Sequence, residues 1–457
     1  MKYMAIGMVV VLATGIGIFL LRGEHTLKLA PMENTASGTS AVNNLGVAAV
    51  VAPSSTATGT AVVNGGGRAA GRDIETQGQL ANPPAMVKGI YVTGWSAGSP
   101  KKIQSLIDLV RRTELNAIVV DIKDYSGFVS YRTGIPEVAA AGAEGELRIA
   151  APNALIKTLH DNGIYVIGRI TVFQDPILAK AYPEWAFENK TTGKTWVDSK
   201  GLAWMDPATH AVWDYNIKLA QDALHRGFDE INFDYVRFAS DGTLGEIQYP
   251  SWDMKTPRHT VIKNFFAYLR DAIPNGKISA DLFGLATVNH EDLGIGQVIE
   301  DAYAYFDYVS PMTYPSHYAP GFLGYNSPAK YPYEVVRYSI DMAASRLMAL
   351  IAKVNAPEPS STELAAATIT MTNNNDHTSM SSSSFNGHRI FAKLRPWVQD
   401  FDLGATYTAA MVRKQIDAID DAMKNASGTD MSAHHGGWLI WNAANNYTIG
   451  SLNPESL

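Results

Sequence analysis

Between residues 87 and 447 one pattern recurs along the chain: a short apolar run, a polar loop, then a stretch opened by a small polar residue and a proline. The apolar runs at 88–95, 116–121, 164–171, 228–238, 277–284, 308–314, 395–401 and 437–442 have the length and composition of strands. Between them helices are predicted from Pro100 to about Thr113, from Pro152 to Asn162-Gly163, from Asp206-Pro207 to Gly227, from Pro257, around 297–305, from about Tyr333 to Val354 and from Thr408 to Asn425. Proline suits the first turn of a helix and glycine the left-handed residue after its last, so these residues set the boundaries. Eight strands with seven intervening helices close most simply as an α/β fold of the (β/α)8 TIM-barrel class, because parallel strands joined by right-handed helical crossovers wrap into a closed sheet. An open doubly wound sheet has the same spacing.

The run at 228–238 organises the rest. Read at a period of two, Glu230, Asn232 and Asp234 share one face and Ile231, Phe233 and Tyr235 the other. The apolar face suits packing against helices, and the polar face ending in a carboxylate suits the interior and upper rim of a parallel barrel. An ordinary core strand with a buried ion pair gives the same pattern. Polar residues also end the other strands: Asp121, Lys123 and Asp124 the second, Arg169 the third, Arg237 with Asp234 the fourth, and Asp281 the fifth. Thr313 and Tyr314 end the sixth, Gln399 and Asp400 the seventh, Trp441 and Asn442 the eighth, and Trp95 closes the first. Burying so many ionisable groups costs free energy unless they are paired, so some are expected to be structural ion pairs, Arg169 or Lys123 among them. The long loop after the third strand carries Trp185, Trp196 and Trp204, with a hairpin turn at 189–194. Indole faces above a carboxylate-lined mouth suit sugar rings; packing of the loop onto the barrel is the other reading.

The flanks read differently. Residues 3–21 form an uncharged apolar run long enough to span a bilayer, with Lys2 before it, Arg22 after it and no good cleavage site, so residues 1–22 are expected to be an uncleaved membrane anchor. From Pro31 to Pro84 the composition shifts to Ala, Ser, Thr, Gly and Val, which makes 23–86 an expected disordered tether. The folded domain is then 87–450, interrupted by a Ser- and Asn-rich insert at 356–387.

Composition narrows the chemistry. A chain of 457 residues that is 46% hydrophobic and 18% charged can bury a large core. Its net charge of −7 and lack of a basic run argue against a nucleic-acid partner. With no cysteine there are no thiolate ligands, disulfides or cysteine nucleophiles. Gly65-Gly-Gly67 lies in the tether and 94–98 lacks the dinucleotide fingerprint, so no cofactor is expected. His317 and His434-His435 are separated and on predicted loops, where a histidine is more often a surface residue than a ligand, and no metal is expected. What remains is a set of paired carboxylates, the means of acid/base or nucleophilic chemistry at a C–O bond.

At 88–95, 120–125, 228–238, 310–315 and 395–401 the chain resembles a bacterial family known as "putative glycoside hydrolases", over about 87–447. The resemblance implies a TIM barrel. More distantly, a carboxylate ending strand four followed by one on strand five looks like the α-amylase-type arrangement. That resemblance implies Asp234 as nucleophile, Asp281 as general acid/base and Asp400 as transition-state stabiliser. The chain departs from the amylase pattern in having Asp281 rather than glutamate on strand five, and Asn232 rather than arginine two positions before the nucleophile. Asp121 and Asp124 are the competing acids.

The expectation from these readings is a single-pass, membrane-tethered glycoside hydrolase with its barrel outside the cytoplasm, cleaving an envelope or extracellular polysaccharide. Trp95, Asp121, Lys123, Asp124, Arg169, Trp204, Arg237, Tyr314, Gln399 and Trp441 are its expected substrate-binding residues. The alternative is a barrel that binds glycan without cleaving it.

Overall fold

The structure, a computed structural model, describes residues 73–356, 392–426 and 428–455. The expected anchor, most of the tether and nearly all of the insert lie outside the described residues. Among the described residues no helix is long and apolar enough to cross a membrane.

Eight parallel strands form a closed barrel: β1 (Val87–Val92), β2 (Ala117–Lys123), β3 (Tyr165–Thr171), β4 (Glu230–Asp234), β5 (Ile278–Phe283), β6 (Tyr308–Met312), β7 in two pieces (Lys393–Leu394 and Trp397–Gln399) and β8 (Gly437–Trp441). Closure is explicit in the register, where β8 pairs with β1 from Val87↔Gly437 to Ile90↔Ile440. The outer helices are α1 (Pro100–Val110), α2 (Pro152–His160), α3 (His210–Arg226), α4 (Arg258–Ala272), α5 (Ile299–Tyr303), α6 (Pro332–Asn355) and α7 (Ala409–Lys424). Local chemistry explains the ends. Ser99 and Thr408 accept backbone N–H groups from the first turns of α1 and α7. Gly227 closes α3 at φ 110°, where a side chain would be strained and its Cβ would meet Gln77 O at 2.7 Å. α3 begins at His210 rather than at Asp206-Pro207, because Asp206 spends its carboxylate on Ala208, Ser251 and Trp252 N–H groups and pins two loops together.

Side chains alternate across the sheet as the period-two reading requires. Ile90, Ile118, Val166, Ile231, Phe233 and Val309 face outward into one apolar shell with Ile103, Leu106, Leu159 and Phe266 of the helices. Tyr91, Val119, Tyr165, Ile167, Trp397, Leu439 and Trp441 fill the interior. β7 breaks at Arg395-Pro396. Pro396 has no N–H for the ladder, so the strand resumes beyond it: Lys393–Leu394 pairs with β6, and Trp397–Gln399 pairs with β8 and, at Trp397, with Met312 of β6. The break turns Arg395 inward onto Glu230 at the barrel floor: Nη1 donates to Oε2 at 3.0 Å and Nη2 to Oε1, and Ser279 Oγ and Tyr165 OH also donate to that carboxylate.

One boundary moves. Residues 73–86, expected to belong to the tether, pack on the barrel. Asp73 accepts the Asn153 and Ala154 N–H groups at 2.9 and 3.1 Å, capping α2, whose own N-cap residue Ala151 offers no side-chain bond. Further along, Gln77 N donates to Arg226 O, and Leu80 N donates to Asp229 Oδ1 at 2.6 Å at the foot of β4.

Candidate active site

The polar face of β4 rises from floor to mouth as Glu230, Asn232 and Asp234, and neighbouring strands answer each level. Arg169 on β3 is in register with Asn232 and is fully buried. Its Nη1 donates to Asp121 Oδ1 at 2.6 Å and its Nη2 to Asp234 Oδ2 at 2.5 Å, while Nε lies 4.0 Å from Asp281 Oδ2. One guanidinium therefore lies against three carboxyl groups, hydrogen-bonded to Asp121 and Asp234 and 4.0 Å from Asp281. The arginine missing two positions before Asp234 is supplied from the adjacent strand.

Each carboxyl group has further partners. Asp121 accepts Tyr91 OH at 2.5 Å, and burial pushes its pKa up to about 6 despite Arg169. Asp234 accepts the N–H of Tyr235 at 2.6 Å. Tyr235 sits at φ 54°, a left-handed conformation disfavoured for a bulky residue, so the strand stops there and the chain turns sharply over the mouth. Asp281 accepts the side-chain N–H of Asn232 at 2.9 Å and that of Trp397 at 2.7 Å, both on Oδ1. Burial first, and then the neighbouring Asp234 charge, push Asp281 up to about 8, with Arg169 pulling the other way. Oδ2 is the oxygen nearer Arg169. Asp234 is the most exposed of the three, at 6% against 1% for the others.

Aromatic walls surround this cluster. Trp441 stacks on Tyr91 with centroids 3.8 Å apart, and its ring lies 5.1 Å from the Arg169 guanidinium. Tyr314 is held neutral well above its ordinary pKa by burial and by the charges of Asp281 and Asp234. The structure thus brings together Asp121, Arg169, Asp234, Asp281, Tyr314 and Trp441. Arg237 lies at the rim beside them, over the rings of Trp204, Tyr235 and Phe283.

Other candidates go elsewhere. A bulge between Asp121 and Lys123 sets Lys123 opposite outward-facing Ile170, so its ammonium points away from the barrel interior, 2.6 Å from Asp175 and 5.3 Å from the ring of Tyr215 on α3. Asp124 is bound by Arg148 at 2.5 Å and by Ser126. Both oxygens of Asp400 accept from Thr448, N–H at 2.8 Å and Oγ1 at 2.7 Å, so it ties the loop after β8 to β7 and makes no bond to the cluster. Gln399 braces Phe401 and Ser316. Trp204 and Trp196 are buried and pack the loop, bonding Asp198 and Thr243, whereas Trp95 stands 61% exposed at the end of β1 with Arg148 beside it. His317, expected at the surface, is buried, and burial drives its pKa down to about 4; His435 is buried against Asp420. Among the described residues no three His, Asp or Glu side chains group to hold a metal ion.

Tyr91 and Trp397 were not singled out from the sequence, and Asn232 only as an inward-facing residue, yet each donates to a cluster carboxylate. Alternation alone marks all three as inward-facing.

No curated protein matches this sequence. Among solved structures, a hypothetical protein from Ruminiclostridium thermocellum is 40% identical over 42% of this chain and 96% of its own, with a TM-score of 0.39. The glycoside hydrolase domain of PgaB (BpsB) from Bordetella bronchiseptica is 12% identical over 79% of this chain and 94% of its own, TM-score 0.49. The glycoside hydrolase domain of PelA from Pseudomonas aeruginosa is 9% identical over 79% and 97%, TM-score 0.36. The model of the family described as "Putative glycosyl hydrolase domain" matches residues 89–361 and 359–447. With its closed eight-stranded barrel and carboxylate cluster inside that span, the chain belongs to this glycosyl hydrolase domain family.

Proposed function

We propose that the protein is a retaining glycoside hydrolase in which Asp234 is the nucleophile and Asp281 the general acid/base. The observation that carries this reading is that both carboxyl groups lie against one guanidinium, that of Arg169, which is bonded to Asp234 and 4.0 Å from Asp281, with Asp281 favouring its protonated form. Retaining enzymes hold their carboxyl groups about 5–5.5 Å apart, and inverting ones leave roughly 6.5–9.5 Å for a water. Two carboxyl groups held against one guanidinium suit the shorter spacing. In the first step Asp234 bonds to the anomeric carbon as the glycosidic C–O bond breaks, and the Asp281 proton passes to the departing oxygen. In the second, water attacks the same carbon, gives its proton to Asp281, and Asp234 leaves. Arg169 and the Tyr235 N–H orient Asp234 in both. Asp121, whose pKa burial also raises, to about 6, is the rival acid. Asp400 has no part in this scheme.

Trp95, exposed at the rim, is suited to stack a sugar ring. The apolar run at 3–21 and the low-complexity stretch after it support attachment to a membrane with the barrel outside the cytoplasm, acting on an envelope or extracellular polysaccharide. Incubation of the protein with a panel of polysaccharides should release reducing ends, and proton NMR of the first product formed should show the anomeric configuration of the substrate. Glycan binding without release of reducing ends leaves the non-catalytic barrel as the better reading.

A further inference from the structure

Arg237 stands out among the buried cations of the barrel. Arg169 and Arg395 are each matched to carboxylates, but among the described residues Arg237 has none within ion-pair distance. It is only 6% exposed, and its guanidinium is held between the ring of Trp204 at 4.7 Å and that of Phe283 at 4.6 Å. Only Nη1 is engaged, donating to Phe238 O at 3.0 Å and Ser240 Oγ at 3.1 Å. Among the described residues Nε and Nη2 find no acceptor. Burial lowers the pKa of Arg237, and the more distant charges of Tyr235, Asp241, Asp234 and Asp198 offset this only in part. Stacking on aromatic faces contributes something to holding a desolvated cation, but a guanidinium with a free planar edge is still short of an anionic partner.

Its place gives that partner a meaning. Phe283 lies two residues beyond Asp281 on β5, and Tyr235 follows Asp234 directly, so the free edge of Arg237 belongs to the rim above the proposed nucleophile and acid. The chain as a whole is acidic, so this is a local feature and not a general attraction for polyanions.

We propose that Arg237 receives the carboxylate of a uronic-acid ring bound next to the cleaved linkage, which makes the substrate an acidic glycan. The planar fork of arginine matches a carboxylate through two parallel N–H bonds, which fixes the ring's orientation as well as its charge. This rests on the hydrolase reading of the same site, and the test keeps the two apart.

The full-length Asp234→Asn variant, which holds ligand without turning it over, is titrated calorimetrically with oligosaccharides of galacturonate and of mannuronate, and with the same oligosaccharides after reduction of their carboxyl groups. At least one acidic ligand should bind about tenfold or more tightly than its reduced form, the size of a charge-assisted hydrogen-bonded pair. Adding Arg237→Gln should remove that preference while leaving affinity for the reduced ligand unchanged, and Arg237→Lys, which keeps the charge and loses the fork, should fall between. Equal affinity for acidic and reduced ligands, or binding of neither acidic series, overturns the proposal. Tight acidic binding with no reducing ends released by the unmodified protein would retain the subsite and remove the hydrolase. Hydrolysis of neutral glycans alone would do the reverse.

Discussion

Asn232 donates its side-chain N–H to Asp281 Oδ1 at 2.9 Å, so a residue two places before the proposed nucleophile orients the proposed acid on the next strand. That bond favours the ionised form of Asp281 and opposes the larger effect of burial. If Asp281 is the acid, kcat/KM should fall as pH rises through about 8, where it gives up its proton. Asn232→Ala removes a bond to the ionised form and should shift this limb to higher pH. A limb near 6 instead would identify Asp121 as the acid.

The same group links pH to stability. An aspartate in the unfolded chain loses its proton near pH 3.9, whereas Asp281 in the folded chain keeps it up to about 8. Between these values the native state binds the extra proton, so this group's contribution to stability falls as pH rises across the window. Below it both states are protonated and the contribution is full. Asp281→Asn should flatten the dependence of the urea midpoint on pH over this range; an unchanged slope would show that the raised affinity resides elsewhere.

Asp234→Asn preserves shape and removes the nucleophilic charge. Activity should fall by about two orders of magnitude or more with an unchanged circular dichroism spectrum. Azide should restore turnover of an activated aryl glycoside to Asp234→Ala and give a glycosyl azide of inverted configuration. Near-normal turnover by the asparagine variant removes Asp234 from the mechanism.

Arg169→Met should leave Asp121 and Asp234 buried without their shared cation. Breaking such a pair costs about 3–5 kcal/mol. Urea unfolding should show a smaller loss at pH 5 than at pH 7.5, because Asp121 can then be neutral. An equal loss at both would mean packing, not charge, is what the arginine provides.

A chain that starts at Val87 loses the Asp73 cap of α2 and the bond from Leu80 to Asp229, whereas one that starts at Asp73 keeps both. The cap alone is worth about 1 kcal/mol, so the shorter chain should melt several degrees lower. Equal melting temperatures would return 73–86 to the tether.

Strand number, helix number and the inward face of β4 were legible because apolar periodicity and proline or glycine punctuation are local properties of the chain. Asp121, Arg169, Asp234 and Asp281 followed from their places at strand ends. Lys123 did not, because a one-residue bulge reverses which side of the sheet it faces and nothing in the sequence marks that bulge. Asp400 was misplaced for a different reason: Thr448, which takes both its oxygens, lies on the loop after β8. The segment 73–86 reads as tether by composition, yet Asp73 and Leu80 find partners far along the chain. Trp397 combines both cases, since alternation turns it inward but only the closed barrel brings its indole N–H to Asp281.

The interior also has an electroneutrality condition. Arg395 and Arg169 stand along the axis with Glu230, Asp121, Asp234 and Asp281, two cations against four acids, so the column is neutral only while two of the acids stay protonated. Asp281 and Asp121 are the two whose hold on a proton is strengthened. When Asp281 releases its proton to a departing sugar oxygen while Asp234 bonds to the anomeric carbon, one negative charge appears in the column as another is spent, and the new one lies beside the positive charge that gathers on the sugar ring.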